Sequence, residues 1–148
     1  MNDFKTTLSV DSSPAEVYQS LTNDIANWWT EMFEGTSNEV GKSFTVRFGS
    51  SVFKKFAVTE LVADKKVVWD VVDSFIDLPE LTRKTEWIGT QIIWEIATHQ
   101  EKTILTLTHV GLVPEIECFS ICENGWRNFT KSLHDFLDTG VGKPYQNR

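Results

Sequence analysis

The sequence predicts an α+β domain in which a curved antiparallel sheet wraps around one long C-terminal helix. Apolar residues recur at spacings of three and four from Phe119 to Leu137, before Gly140, which is typical of an amphipathic helix. From Phe44 to Gly111 the apolar period is two instead, which is typical of strands. Because this one helix must cover the inner face of a larger sheet, we expect a cavity between the helix and the sheet.

Length and composition predict one globular domain spanning residues 1–148. The net charge of -7 argues against nucleic acid and anionic membrane surfaces as partners. No apolar run approaches the roughly 18 residues of a membrane span, and the first residues do not resemble a signal peptide, so we expect no membrane insertion and a cytoplasmic location. Cys118 and Cys122 lack further Cys or His at ligand spacing, which favours packed thiols. The sequence predicts no metal and no cofactor.

The N-terminal part predicts a strand followed by two short helices. Phe4 to Val10 alternates apolar and polar residues, as a half-buried strand does. Residues 13–16 have the form of a capping box, with Ser13 as N-cap and Glu16 reaching back, so a helix should run from residue 14 to about residue 21.

A second short helix should follow, capped by Asn23 or Asp24 and containing Trp28 and Trp29. Adjacent helical residues point in different directions, so we expect one indole to anchor this helix and the other to lie near a cavity rim. Gly35 and Gly41 should then bracket a polar loop.

The central part predicts a meander of five or more strands. Residues 63–66 should form the turn of one hairpin, and residues near 99–102 the turn of another. Residues 73–84 are expected to be irregular, after which a strand face begins at Ile88. The inward-facing residues assigned by alternation are Phe44, Val46, Phe48, Phe56, Val58, Val67, Trp69, Val71, Ile88, Thr90, Ile92, Trp94, Ile96, Thr103, Leu105, Leu107 and His109.

The predicted C-terminal helix is long enough to cross the whole domain. The 19 residues from Phe119 to Leu137 span about 28 Å, which is the width of a small domain. Gly125 interrupts this helix one residue before Trp126, at a cost of up to about 1 kcal/mol relative to alanine. Either Gly125 packs closely against a strand, or it is a weak point at the mouth of a cavity.

Four segments in this order resemble the helix-grip fold of the START-like (SRPBCC) superfamily. They are residues 13–18, 58–69, 103–109 and 125–140, and among the families of this fold they most resemble the activator of heat-shock protein 90 ATPase homologue family, as a single-domain member. The resemblance covers essentially the whole chain. It implies about seven antiparallel strands gripping the C-terminal helix, two short helices after the first strand, and a hydrophobic cavity between sheet and helix.

Nine residues are the candidates for lining such a cavity, because they share the inward strand faces or the helix stripe. Aromatic candidates supply apolar contact, while His109, Glu60 and Thr130 would supply polar groups. Glu86 is a further polar residue on an inward face by alternation. The nine cavity-lining candidates are Glu60, Trp69, Trp94, Leu107, His109, Phe119, Trp126, Phe129 and Thr130.

The leading functional hypothesis is a non-enzymatic module that binds a small hydrophobic molecule, such as a lipid or an aromatic metabolite. The second, suggested by the family resemblance, is a co-chaperone-like interaction protein with a chaperone as partner. The third is an enzyme of the cyclase or dehydratase type, with His109 or Glu60 as acid or base. The sequence carries no nucleophile elbow and no phosphate loop. Outward apolar residues such as Val72 and Ile93 are consistent with a monomer or a weak dimer.

Overall fold

The computed structural model describes residues 2–146 and contains one antiparallel sheet and three helices. The sheet has seven strands in the order β1-β7-β6-β5-β4-β3-β2. This architecture confirms the predicted helix-grip fold. Its elements are β1 (Phe4–Val10), α1 (Pro14–Thr22), α2 (Ile25–Trp28), β2 (Phe33–Gly35), β3 (Ser43–Phe48), β4 (Val52–Val62), β5 (Lys66–Ile76), β6 (Gln91–His99), β7 (Lys102–Val110) and α3 (Phe119–Thr139).

Helix α3 lies on one face of the sheet together with α1 and α2, and the core is the layer between them. Trp126 and Leu133 of α3 are buried in that layer. The Ser132 hydroxyl donates to the Trp28 carbonyl (2.7 Å), which ties α3 to the end of α2. Helix α3 ends at Gly140, whose φ of 83° is the left-handed conformation that glycine adopts without strain. Over residues 2–146, none of the helices has the length and apolar character that a membrane span needs.

The predicted capping box of α1 is present. The Ser13 hydroxyl accepts from the Glu16 N–H (3.1 Å), and the Glu16 carboxylate accepts from the Ser13 N–H (3.0 Å). The cap of α2 lies at one of the two predicted positions, but no side-chain capping hydrogen bond is formed there. Asp24 stands at the N-cap position, but its φ of -116° and ψ of 23° are not the extended backbone that directs a cap side chain to the helix. The Asn23 amide donates to the Thr22 hydroxyl instead.

The two adjacent tryptophans also differ from the prediction. Trp28 and Trp29 are both buried, and their rings stack with centroids 5.5 Å apart and planes 5° from parallel. Helix α2 ends at Trp28, so Trp29 lies beyond it and the divergence expected within a helix does not apply. Neither indole lies at a solvent rim.

Two register shifts between β4 and β5 change which residues face inward. On β5 the shift lies near Val72, so Val71 faces inward before it and Ser74 and Ile76 face inward after it. On β4 the shift passes over Thr59. Glu60 is therefore exposed and lies 3.6 Å from Lys66, and its predicted inward orientation is wrong.

Three strand boundaries were also mispredicted. The short strand β2 was missed, and β5 continues to Ile76 through residues expected to be irregular. Strand β6 begins at Gln91, because turns at residues 85–90 and the left-handed Gly89 (φ 89°) precede it. Ile88 therefore lies outside the strand and is 45% exposed.

Candidate functional site

The candidate site is an apolar cavity at one end of the sheet, beneath the first half of α3. Its walls come from the end of β3, the start of β4, the end of β5, the loop of residues 77–90, and α3. The cavity volume is about 170 Å³. The lining residues are Trp29, Phe48, Val52, Lys54, Ile76, Leu78, Trp87, Ile121, Cys122, Gly125, Trp126 and Phe129.

The cavity has a buried base and a half-exposed mouth. Trp29, Trp87 and Trp126 are each no more than 2% exposed, and their rings contact one another around Trp126. The centroid of Trp126 lies 5.2 Å from that of Trp29 and 5.9 Å from that of Trp87. Five other aromatic and aliphatic wall residues are half-buried: Phe48, Val52, Leu78, Ile121 and Phe129. An apolar molecule could therefore enter past the half-buried residues and stack on indole rings.

Lys54 is the charged residue among the twelve that line the cavity. Its side chain as a whole is half-buried, but its ammonium lies 4.3 Å from the Trp87 ring centroid and 4.9 Å from that of Phe48. These are cation–π distances. Burial lowers the pKa of Lys54, because the charged form loses water and the rings replace only part of that hydration.

Cys122 places a thiol on the same wall. The Trp87 indole N–H donates to Cys122 Sγ (3.1 Å). A hydrogen bond from Cys118 lowers the pKa of Cys122 to about 7; burial opposes this shift, and the Lys54 charge and the Trp87 N–H add to it. The same hydrogen bond raises the pKa of Cys118. Both cysteines are free and buried.

His109 lies behind the two indoles that it positions. The Trp126 indole N–H donates to His109 Nδ1 (3.0 Å), so the ring proton resides on Nε2, which lies 2.8 Å from the Thr90 hydroxyl. That hydroxyl in turn donates to the Trp87 carbonyl (2.6 Å). Burial, reinforced by the Lys54 charge, lowers the pKa of His109 to about 3. His109 is therefore neutral, and both of its nitrogens are occupied.

The loop of residues 77–90 closes one side of the cavity and is fastened to the start of α3. The Glu86 carboxylate accepts from the N–H groups of Glu117 and Cys118 (3.2 and 3.1 Å). The Glu117 carboxylate accepts from the Thr82 N–H and hydroxyl (2.8 and 2.9 Å). Glu86, expected on a strand face, thus supplies the cap that the Cys118 side chain does not supply to α3.

The predicted site residues divide into three groups. Trp126 and Phe129 line the cavity. Trp69, Trp94, Leu107 and His109 are buried and face inward as expected, but they lie in the packed core rather than on the cavity wall.

The other three predicted residues lie away from this wall. Phe119 is half-buried against the core, and the buried Thr130 lies 3.3 Å from the Arg127 carbonyl within α3. Glu60 is exposed on β4, so His109 and Glu60 do not converge. Neither of these two residues, which the sequence suggested as alternative acids or bases, lines the cavity.

Gly125 lines the cavity, and a Cβ built there meets no atom within 4 Å. Close packing against a strand is therefore not the reason for this glycine. Its lack of a side chain leaves open space between α3 and the sheet.

Sequence reasoning missed Lys54 and Trp87, and it expected one of Trp28 and Trp29 near a cavity without identifying Trp29 as that residue. Lys54 was detectable, because it lies two residues before Phe56 and four before Val58, in phase with the inward face of β4. A lysine at an inward position is unusual enough to mark a site. Trp87 lies in a loop, where alternation gives no signal.

Comparisons with known proteins agree with this architecture. The family model described as Activator of Hsp90 ATPase homolog 1-like protein matches residues 11–138. The chain is similar to the Aha1 dimer from Colwellia psychrerythraea, whose solution structure is known: the two share 28% sequence identity, the alignment covers 96% of this chain and 100% of that one, and the TM-score is 0.77. No curated protein sequence matches the chain.

Two more distant structures share the fold alone. DynU16, a protein of the dynemicin biosynthetic locus, is 19% identical, with coverage of 96% of this chain and 49% of that one and a TM-score of 0.71. SSP2350 from Staphylococcus saprophyticus is 15% identical, with coverage of 97% and 99% and a TM-score of 0.71.

Proposed function

Because the chain belongs to the family described as Activator of Hsp90 ATPase homolog 1-like protein, we propose that it is a binding module for a small, largely apolar molecule held between the sheet and α3. The observation that carries this proposal is the cavity of about 170 Å³, whose wall residues are mostly aromatic and aliphatic. A void of this size lowers stability unless something fills it, because the lining atoms lack packing partners. A bound molecule would restore those contacts.

The volume limits what the cavity would hold. An apolar cavity of about 150 Å³ is known to accommodate benzene, whereas pockets for drug-sized ligands are about 300 to 1,000 Å³. The cavity therefore suits one aromatic ring with a short substituent, or the end of a longer molecule whose remainder projects through the mouth. A whole lipid chain would not be enclosed. We therefore favour an aromatic metabolite over a lipid.

Native mass spectrometry of the freshly purified protein, followed by denaturing extraction, tests this function. We expect a bound species that disappears on denaturation, and we expect Gly125→Leu to lack it because the new side chain fills the cavity. Asn128→Leu is the matched control, since Asn128 is exposed on the same helix. A protein that carries no ligand and also fails to bind a panel of neutral single-ring compounds would contradict the proposal.

A co-chaperone role is the second candidate, and the family description is what favours it. It makes a different prediction, since it needs a protein partner and no cavity ligand. The test is retention of heat-shock protein 90 from the same organism on the immobilised protein. Retention that Gly125→Leu leaves unchanged would support this role, and no retention at micromolar concentration would count against it.

A further inference from the structure

We propose that the ligand of this cavity carries one carboxylate, and that Lys54 is its counter-ion. The inference rests on the proposed binding function and adds the chemical class of the ligand: a single aromatic ring with a short acidic arm. It follows from the position of Lys54 on the cavity wall, from the aromatic rings around its ammonium, and from the lack of a carboxylate near it among residues 2–146.

Lys54 differs from the other lysines that make close contacts. Lys66, Lys84, Lys102 and Lys131 each lie within ion-pair distance of an aspartate or glutamate. Lys54 has no such carboxylate within 4.0 Å among residues 2–146, although it lies on the cavity wall beside two aromatic rings. A buried charge is normally paired, because leaving it unpaired in apolar surroundings is costly.

The contacts that Lys54 does make leave room for an anion. Its ammonium approaches the faces of Trp87 and Phe48, and aromatic rings accept a cation without using its N–H donors in conventional hydrogen bonds. The two rings also line the cavity. A ligand ring packed against the indoles would therefore bring a short acidic arm to the ammonium.

Cys122 is the competing partner, because its thiolate would share the cavity wall with the ammonium. The lowered pKa of Cys122, about 7, means that the thiol is mostly neutral near pH 6. Two other titratable groups interact electrostatically with Lys54. They are Cys118, whose pKa is raised, and His109, which is neutral. Near pH 6 most of the Cys122 thiol is protonated, so a ligand carboxylate, which has a pKa near 4 and is ionised, is the more available anion for Lys54.

The test compares phenylacetate with its neutral isostere phenylacetamide by titration at about pH 6, followed through tryptophan fluorescence. Both probes have the ring and arm that the cavity volume suits and nearly the same shape, but the amide is neutral and has an NH2 donor in place of one carboxylate oxygen. In the unmodified protein we expect phenylacetate to bind about 10- to 100-fold more tightly than the amide, the range for a hydrogen bond to a charged group.

Two lysine variants test whether Lys54 causes the preference for phenylacetate. Lys54→Met keeps most of the length of the unbranched side chain and removes its charge, so the preference for the acid should be lost. Lys55→Met is the matched control: Lys55 is adjacent on β4 but exposed, and the preference should persist. Thermal unfolding of each variant checks that it is folded.

The outcomes separate this inference from the proposed function. If the unmodified protein binds the amide as tightly as the acid, the carboxylate inference is overturned and the binding module stands. If the acid is preferred but Lys54→Met, correctly folded, keeps the preference, Lys54 is not the counter-ion. If neither probe binds at millimolar concentration but another neutral single-ring compound does, the carboxylate inference is overturned and the binding module stands. If no compound of the panel binds and no ligand copurifies, both are contradicted.

Discussion

The six tryptophans form two groups of three that are equally buried but differently used. Trp28, Trp69 and Trp94 pack into the centre of the core, with Trp94 meeting the other two edge to face at centroid distances of 6.0 and 5.8 Å. The second group, Trp29, Trp87 and Trp126, lines the cavity. Exposure is no more than 2% in both groups. Burial alone therefore does not distinguish a core from a binding site.

The difference lies in what faces each ring. The packed group has rings and aliphatic side chains on all sides, and the Trp69 and Trp94 N–H groups have no hydrogen-bond partner within residues 2–146. In the cavity group, Trp87 and Trp126 are each oriented by a polar partner, Cys122 and His109. Hydrogen bonding alone does not separate the groups, because the Trp28 N–H of the packed group also donates, to the Ser20 carbonyl (2.8 Å). What separates them is that the rings of the second group line the cavity.

The largest expected effect comes from deleting a ring in the packed group. Trp94→Ala should lower the free energy of unfolding by about 3 to 5 kcal/mol, because a large cavity replaces contacts on every side. Phe129→Ala, at the half-buried cavity mouth, should cost about 1 to 2 kcal/mol. Denaturant unfolding of both variants measures this difference, and equal costs would show that the mouth is as tightly packed as the centre.

Thiol reactivity should separate the two cysteines. At pH 7 about half of a thiol with the pKa of Cys122 is thiolate, whereas Cys118, whose pKa is raised, stays protonated. Iodoacetamide should therefore modify Cys122 at least roughly tenfold faster than Cys118. Mass spectrometry of the digested protein gives both rates. In Cys118→Ala the pH at which Cys122 is modified at half its maximal rate should rise, because the hydrogen bond that lowers the pKa of Cys122 is lost.

Lowering the pH should destabilise the protein through His109, whose hydrogen bonds to Trp126 and Thr90 help to hold the cavity indoles. The pKa of His109 is about 3 in the folded protein and about 6.5 when unfolded, so between these values the unfolded chain binds more protons. His109 therefore destabilises the protein by up to about 1.4 kcal/mol for each pH unit below 6.5.

Denaturant unfolding between pH 7 and 4 checks this effect, with His109→Gln as the control that keeps a hydrogen-bonding side chain but does not titrate. We expect the unmodified protein to lose stability more steeply than the variant as the pH falls. Parallel curves would mean that His109 is not buried in its neutral form.

The smallest expected effect is a gain. Gly125→Ala should raise the free energy of unfolding by about 0.5 to 1 kcal/mol, because the added methyl group meets no atom and alanine favours the helix. Thermal unfolding measures it. A loss of stability would show that the helix and sheet approach each other more closely at the cavity than the structure has them.

The sequence was sufficient for the fold and insufficient for the site. The spacing from Phe119 to Leu137 and the alternation along β6 and β7 identify the helix and the sheet, because burial of one face imposes those periods. The cavity depends on features without a period: a register shift near Val72, a loop that carries Trp87, and an empty place beside Gly125. His109 was found by alternation, but only its hydrogen bonds show that it supports Trp126 rather than a ligand.

The central claim is that three buried indoles face a cavity that accepts a small molecule while three others do not. The indole N–H resonances of the six tryptophans, assigned by single Trp→Phe substitutions, test it during titration with benzyl alcohol, a neutral single-ring probe. The account predicts shifts for Trp29, Trp87 and Trp126 and almost none for Trp28, Trp69 and Trp94. Six unchanged resonances, or shifts centred on the packed group, would contradict it.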